Sequence, residues 1–308
     1  HLVNSQIDLF TEYGGVIPEI AARDHSAKII GILKQLLKQT DYKLTDIDLI
    51  AYTAGPGLIG SLMIGETVAK TIANVLNIEL LPINHLEGHI LAPGLEEDGL
   101  EPPYLCLLVS GGHTQIIRCD DYGEYKIIGE TIDDACGEAF DKVGKLLNLE
   151  YPGGPKVSQL AESGDSTRFK FPRAMMKDKN LDFSFSGLKT AVLYALEDLN
   201  EEDHADVAAS FQEAVIDALT TKLTWAVQDT KICKLVCSGG VASNKLLRER
   251  LKQMAINNNL EVSYPRMEFC TDNAAMIAYA GFIRKKFKLP TYPTNFARPR
   301  WPLGELYD

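Results

Sequence analysis

The chain has 308 residues, enough for two compact lobes at about 100–200 residues per domain, and its 45% hydrophobic and 24% charged composition is that of a globular protein with sizeable cores. A net charge of −11 argues against nonspecific nucleic-acid binding by the surface as a whole, and no apolar run approaches the roughly 20 residues that cross a bilayer, so no membrane partner is expected. Six cysteines without a CxxC pair argue against a disulfide framework, and with no secretory leader they point to a reducing, cytoplasmic compartment. The chain opens on His1 instead of methionine and is expected to be truncated.

In chain order, Ile29, Ile32, Leu33, Leu36 and Leu37 repeat at helical spacing and predict an amphipathic helix over 17–38. A buried strand follows over 47–54, a helix over 61–76 and a strand over 79–84, together a βαβ unit. The acidic, proline-bearing stretch 93–103 ends this part, and the chain restarts with a hairpin of strands 104–109 and 113–118 turned by Ser110-Gly111-Gly112. Helices are expected over 134–147, 156–162, 187–199 and 205–227, the last with Phe211, Val215, Ala218 and Leu219 as its core stripe. Strand 232–237, helix 244–256, strand 261–264 and helix 272–286 complete the series, an α/β chain with lobes at 1–103 plus 271–308 and at 104–270.

His85-Leu86-Glu87-Gly88-His89 places two imidazoles one helical turn apart, on one face and able to grip one cation. A catalytic metal needs a third protein ligand, and Asp272 in Cys270-Thr271-Asp272-Asn273 is the candidate. The alternatives are that His85 caps a strand, that His89 packs under a helix and that Asp272 is a helix N-cap. A zincin metallopeptidase would place Glu directly after the first His, where this chain has Leu86.

Four glycine turns stand at strand ends or helix starts. Gly55-Pro56-Gly57-Leu58-Ile59-Gly60 matches G-x-G-x-x-G, with Glu79 at the distance of a ribose-binding acid, and gives a minority dehydrogenase reading. Ser110-Gly111-Gly112-His113-Thr114, Tyr151-Pro152-Gly153-Gly154-Pro155 and Ser238-Gly239-Gly240-Val241-Ala242-Ser243-Asn244 allow close backbone approach to an anion. No G-x-x-x-x-G-K-[ST] occurs, which excludes a P-loop protein. From Asn273 to Gly304 no acidic residue occurs, whereas Arg284, Lys285, Lys286, Lys288, Arg298 and Arg300 form a basic cluster that could meet a nucleic acid at one edge.

These motifs, with Gly137-Glu138-Ala139-Phe140-Asp141-Lys142 and Phe183-Ser184-Phe185-Ser186-Gly187-Leu188-Lys189-Thr190, run in an order that resembles the TsaD family over nearly the whole chain. The resemblance implies a two-lobed actin/Hsp70/sugar-kinase-like (ASKHA) fold with a nucleotide cleft between the lobes. It implies transfer of a threonylcarbamoyl group from threonylcarbamoyl-adenylate to N6 of the adenosine 3′ of the anticodon, in tRNAs reading codons that begin with A. It also implies a divalent transition metal, iron or zinc, on His85, His89 and Asp272. The adenylate, or ATP in the same cleft, would be bound by Leu108, Val109, Ser110, Gly111, Gly112, Asp141, Gly154 and Asn244. Asp141 and His113, whose unperturbed pKa is near neutrality, are the candidate catalytic residues. Implied partners are tRNA, a TsaB-like actin-like subunit and, if bacterial, a TsaE-like ATPase, with a homodimer also admitted. The family's usual opening strand and Gly-Ile-Glu-Thr-Ser-Cys-Asp-Glu-type hairpin does not precede His1 in this sequence, so a chain inactive on its own is one expectation. A metallopeptidase and a non-catalytic nucleotide-gated scaffold are the competing readings.

Overall fold

The computed structural model describes residues 1–96, 100–177, 179–290, 292 and 296–307. In chain order the elements are α1 (Ile7–Thr11), α2 (Pro18–Gln39), β1 (Leu49–Gly55), α3 (Ile59–Leu76), β2 (Glu79–Asn84), α4 (His85–Leu91), β3 (Tyr104–Val109), β4 (Thr114–Asp121) and β5 (Glu124–Glu130). They continue with α5 (Cys136–Leu146), α6 (Gly153–Ala161), α7 (Ser186–Leu196), α8 (His204–Thr230), β6 (Lys234–Ser238), α9 (Lys245–Asn258), β7 (Glu261–Ser263), α10 (Met267–Cys270) and α11 (Ala274–Lys286). Two compact units result: His1–Gly99 with Tyr122–Tyr125 and Asp272–Asp308, and Leu100–Asp121 with Lys126–Thr271. The turn Tyr122–Tyr125, which the division from sequence leaves in the second unit, groups with the first.

In the first unit β1 and β2 pair in parallel from Leu49↔Glu79 to Thr53↔Ile83, the arrangement a βαβ unit requires. The helices α3 and α11 both pack on β1, which explains why this strand reads as an apolar run. Ile83, Leu91, Met276, Ile277, Ala280 and Ile283 form the core that joins α4 and α11 to the strands. The predicted stripe of α2 is only half-buried, and Ala21 is the helix's fully buried residue. Periodicity located that helix, while the depth of its burial depends on neighbours that periodicity does not report.

The second unit holds a sheet of order β5-β4-β3-β6-β7. β3 pairs antiparallel with β4 and parallel with β6, and β7 extends the parallel side. Every residue of β3 is buried, as expected of a central strand covered on both faces. Phe211, Val215, Ala218 and Leu219 of α8 are buried, as their spacing indicated. The edge strand β5 was not foreseen, because its Glu-Tyr-Lys-Ile-Ile-Gly-Glu sequence is mostly polar and only partly buried. Among the described residues no helix is long and apolar enough to cross a membrane.

Candidate functional site

In the first unit Asn84 ends β2 and caps α4, its Oδ1 accepting from the backbone N–H groups of Leu86 (2.9 Å) and Glu87 (3.4 Å). Its Nδ2 donates to the carbonyl of Trp301 at 2.9 Å, which fixes where the helix begins. His85 is therefore the first helical residue, and His89 follows one turn later. The two rings meet edge to face with centroids 4.8 Å apart.

Asp272 comes to them from 183 residues along the chain. Its Oδ1 lies 3.0 Å from Nε2 of His89 and 3.4 Å from Nε2 of His85. Ligand atoms about 2.0–2.2 Å from one ion, at octahedral or tetrahedral angles, stand roughly 3.0–3.5 Å apart, so both spacings fit a shared cation. The three candidate ligand atoms all lie within 4.8 Å of one another. Asp272 does not cap α11. Asn273 does, accepting from the backbone N–H of Met276 at 2.9 Å, which leaves the Asp272 carboxylate available.

The protonation states suit the same purpose. His89 is 1% exposed, and burial pulls its pKa down against the opposing hydrogen bond from Asp272, which favours the neutral imidazole that ligation needs. Partial enclosure works against ionisation of Asp272. With its side chain 77% exposed, however, the hydrogen bonds to His85 and His89 prevail and hold the carboxyl well below the usual carboxylate range.

Glu87, between the two histidines, is fully buried and ion-paired to Arg284, with Oε1 2.9 Å from Nη1. A zincin-like general base is thereby ruled out at this position, since the carboxylate is already committed. The pairing also corrects the basic cluster: Arg284 is 4% exposed and offers no charge to a ligand. The surface cations at this end of α11 are Lys285, which pairs with Glu79 at 2.8 Å, Lys286 and Lys288.

The Gly55–Gly60 turn does follow a strand and open a helix, but the chain itself fills it. A Cβ on Gly55 would stand 1.9 Å from the carbonyl oxygen of Arg298, and Gly57 N–H donates to Pro299 O at 3.1 Å. No space is left there for a pyrophosphate, and Glu79, the supposed ribose ligand, is on the surface with Lys285. The turn is therefore not a dinucleotide site.

The second unit contains a cavity of about 940 Å³ whose lining includes Gly111, Asp141, Gly154, Gly240, Asn244 and Thr271. The β3–β4 turn is closed by Ser110, whose N–H donates to the carbonyl of His113 at 2.8 Å and whose Oγ accepts from the N–H of His113 at 3.1 Å. Gly137 N–H at the start of α5 donates to Ser110 O, docking that helix on the turn. Gly239 has φ +93°, and a Cβ there would stand 2.3 Å from Val109 O, so this turn accepts glycine alone. Arg248, which the sequence reading missed, holds the next residues by donating from Nε to Ala242 O at 2.7 Å.

Asp141 lies on α5. It accepts from Gly154 N–H at 3.2 Å at the start of α6. Burial, aided by the charge of Glu138, raises its pKa against the N–H groups of Gly153 and Gly154. Asn244 lines the cavity as the N-cap of α9, accepting from Leu247 N–H, while its Nδ2 donates to Ser158 (2.8 Å) and Gln212 (2.7 Å). Its polar atoms thus tie α6, α8 and α9 together. Leu108 and Val109 are wholly buried in β3, and Ser110, Gly112 and half-buried His113 are not among the lining residues.

The family model for TsaD, tRNA N6-adenosine threonylcarbamoyltransferase, matches residues 1–279. Among solved structures, full-length HypF in its phosphate- and nucleotide-bound form is similar with TM-score 0.63 and 14% identity over 85% of this chain and 41% of that one. HypF of T. kodakarensis gives TM-score 0.60 and 16% identity over 79% of this chain and 41% of that chain. This chain therefore corresponds to less than half of HypF, and at such identities the likeness establishes the two-lobed α/β fold.

Proposed function

The chain belongs to the TsaD family, and from that premise we propose that it transfers a threonylcarbamoyl group from threonylcarbamoyl-adenylate to N6 of the adenosine 3′ of the anticodon, in tRNAs reading codons that begin with A. The N6 nitrogen attacks the carbamoyl carbon, the bond from that carbon to the phosphate oxygen breaks, AMP leaves, and the amine loses a proton. The observation that carries the reading beyond the family is the convergence of His85, His89 and Asp272 within 4.8 Å. An iron or zinc ion held there would supply Lewis-acid charge to phosphate or carboxylate oxygens.

The chain's own groups have separate tasks. The backbone at Gly111 and the turn at Gly240, both in the cavity lining, receive the phosphate, whose growing charge is the largest electrostatic change in the reaction. HypF, which shares the fold, has been seen with phosphate and nucleotide bound, and this supports a nucleotide in the 940 Å³ cavity. Asp141, in that lining and with a raised pKa, is the stronger candidate to orient a donor or accept the amine proton. His113, whose backbone N–H donates to Ser110 Oγ in the turn, is the other candidate.

The tRNA edge is assigned to Lys285, Lys286 and Lys288, beside exposed Phe282 and Phe287, an arrangement of cations and rings suited to phosphates and bases. A TsaB-like subunit is expected as a partner, with a TsaE-like ATPase in a bacterium, and the half-buried apolar stripe of α2 is a surface such a subunit or a second copy would cover. The test is reconstitution with tRNA, metal, partner subunits and a source of threonylcarbamoyl-adenylate, followed by nucleoside mass spectrometry. Modified adenosine that requires this chain supports the proposal. Nucleotide binding with no transfer would favour the scaffold reading.

A further inference from the structure

The carboxylate of Glu87 is the meeting point of four chain segments, all within the first unit. Its Oε1 accepts from Arg284 Nη1 at 2.9 Å and from Tyr125 OH at 3.0 Å. Its Oε2 accepts from the same Nη1 at 3.2 Å and from Tyr292 OH. Arg284 also donates to Tyr292 OH at 2.8 Å and to Pro290 O, and its guanidinium lies 3.8 Å from the centroid of the Tyr292 ring. Glu87, Arg284 and Tyr292 are 0%, 4% and 6% exposed.

A buried pair of this kind is poor evidence of stabilisation, because desolvation of both charges offsets their attraction and apolar replacements often do as well. It does fix direction. At about 100° per residue, Glu87 lies on the side of α4 opposite His85 and His89. The same short helix is thus held on its imidazole face by Asp272, just before α11, and on its far face by Arg284, in the last turn of α11. Between these holds, Gly88 packs so closely on α11 that a Cβ there would stand 2.9 Å from Ile277 Cδ1. Apolar packing alone permits small rotations of a helix. A turn of about 5° moves a side-chain atom at a radius of 5–6 Å by about 0.5 Å. Metal–ligand distances tolerate about ±0.2 Å.

We infer that Glu87 and Arg284, with Tyr292 and Tyr125, form a clamp that sets the rotation of α4 and so aims His85 and His89 at the position they share with Asp272. Glu87 and Arg284 are positioning residues and do not themselves ligate. The inference rests on reading the three residues as metal ligands, and the experiment separates the two claims.

Cobalt(II) titration, followed by its visible absorption, is run on the wild type and on Glu87→Leu/Arg284→Met, which removes both charges and keeps an apolar filling. The melting temperature should stay near that of the wild type, while affinity for cobalt falls by about 10- to 100-fold, the usual effect of losing groups that orient ligands. The absorption bands should also change. A folded double variant that binds cobalt with wild-type affinity and an unchanged spectrum overturns the clamp. Should the double variant not fold, Tyr292→Phe removes one donor to Glu87 and should weaken cobalt binding several-fold; no change there overturns the clamp equally. Imidazole ¹⁵N shifts of His85 and His89 in metal-free protein provide the separation. If the wild type binds no cobalt, the ligand reading fails, yet shifts that move in the variants still support the clamp and unmoved shifts reject it.

Discussion

Gly111 and Gly240 offer the cleanest test of the proposed nucleotide site, because the fold asks little of either. A Cβ built at Gly111 meets nothing within 4 Å, and at Gly240 it meets only the Thr271 methyl carbon at 3.8 Å. Neither residue is among those with positive φ, so a side chain there introduces no backbone strain. Both line the cavity. Gly111→Val and Gly240→Val should therefore fold with melting temperatures at or near that of the wild type. An isopropyl group at either place would stand where the proposed phosphate approaches the backbone. If two charge-assisted N–H contacts are lost, at about 1.5–3 kcal/mol each, the deficit is about 3–6 kcal/mol, or roughly 10²- to 10⁴-fold in affinity. Calorimetry with ATP and AMP reads this directly, and the alanine variants should lie between wild type and valine. Unchanged affinity in both folded valine variants would refute the assignment of the phosphate to these turns.

Four further expectations follow from the geometry. Asp272→Asn and His89→Ala should each lose most bound iron or zinc by elemental analysis while keeping ATP affinity, whereas full occupancy in both would discard the site. Acid should release the metal: burial lowers the pKa of His89, so its neutral form is complete above about 6.5, the unfolded value, and protonation competes increasingly as pH falls below it. Metal-free protein should lose stability as pH falls below about 6.5 through His89, and again below the ordinary Asp value of 3.8 through Asp272, whose lowered pKa acts in the same direction; a melting temperature that rises on acidification would contradict this. Replacing Lys285, Lys286 and Lys288 by alanine should weaken tRNA binding and flatten its salt dependence by about one unit of slope per lost phosphate contact. An unchanged slope with a slightly lower melting temperature would assign those lysines to the carbonyl end of α11 alone.

The histidine pair and the glycine turns were legible because each is local: one helical turn or one tight bend states its geometry in adjacent residues. Asp272 was named as their companion on motif order alone, for no local rule ties it to His89 across 183 residues, and the fold brings its Oδ1 to within 3.0 Å of His89 Nε2. What sequence misjudged depends on distant neighbours. Arg284 counts as a surface cation until Glu87, Tyr125 and Tyr292 are seen around it. Gly55–Gly60 has the spacing of a dinucleotide turn, and only Arg298 and Pro299 reveal that it is already filled. The edge strand β5 went unnoticed because partial burial leaves its composition polar.

If this chain moves a threonylcarbamoyl group onto tRNA with the help of His85, His89, Asp272 and the second-unit cavity, the transfer itself can be followed. The most direct measurement supplies threonylcarbamoyl-adenylate labelled in its threonine to the chain with metal, partner subunits and tRNA, and follows label into the tRNA. Label is expected on the adenosine 3′ of the anticodon with AMP released in equal amount, and is expected to be lost in both Asp272→Asn and Gly240→Val. Label transferred undiminished in those two variants, or none transferred by the wild type with a full set of partners, would contradict it.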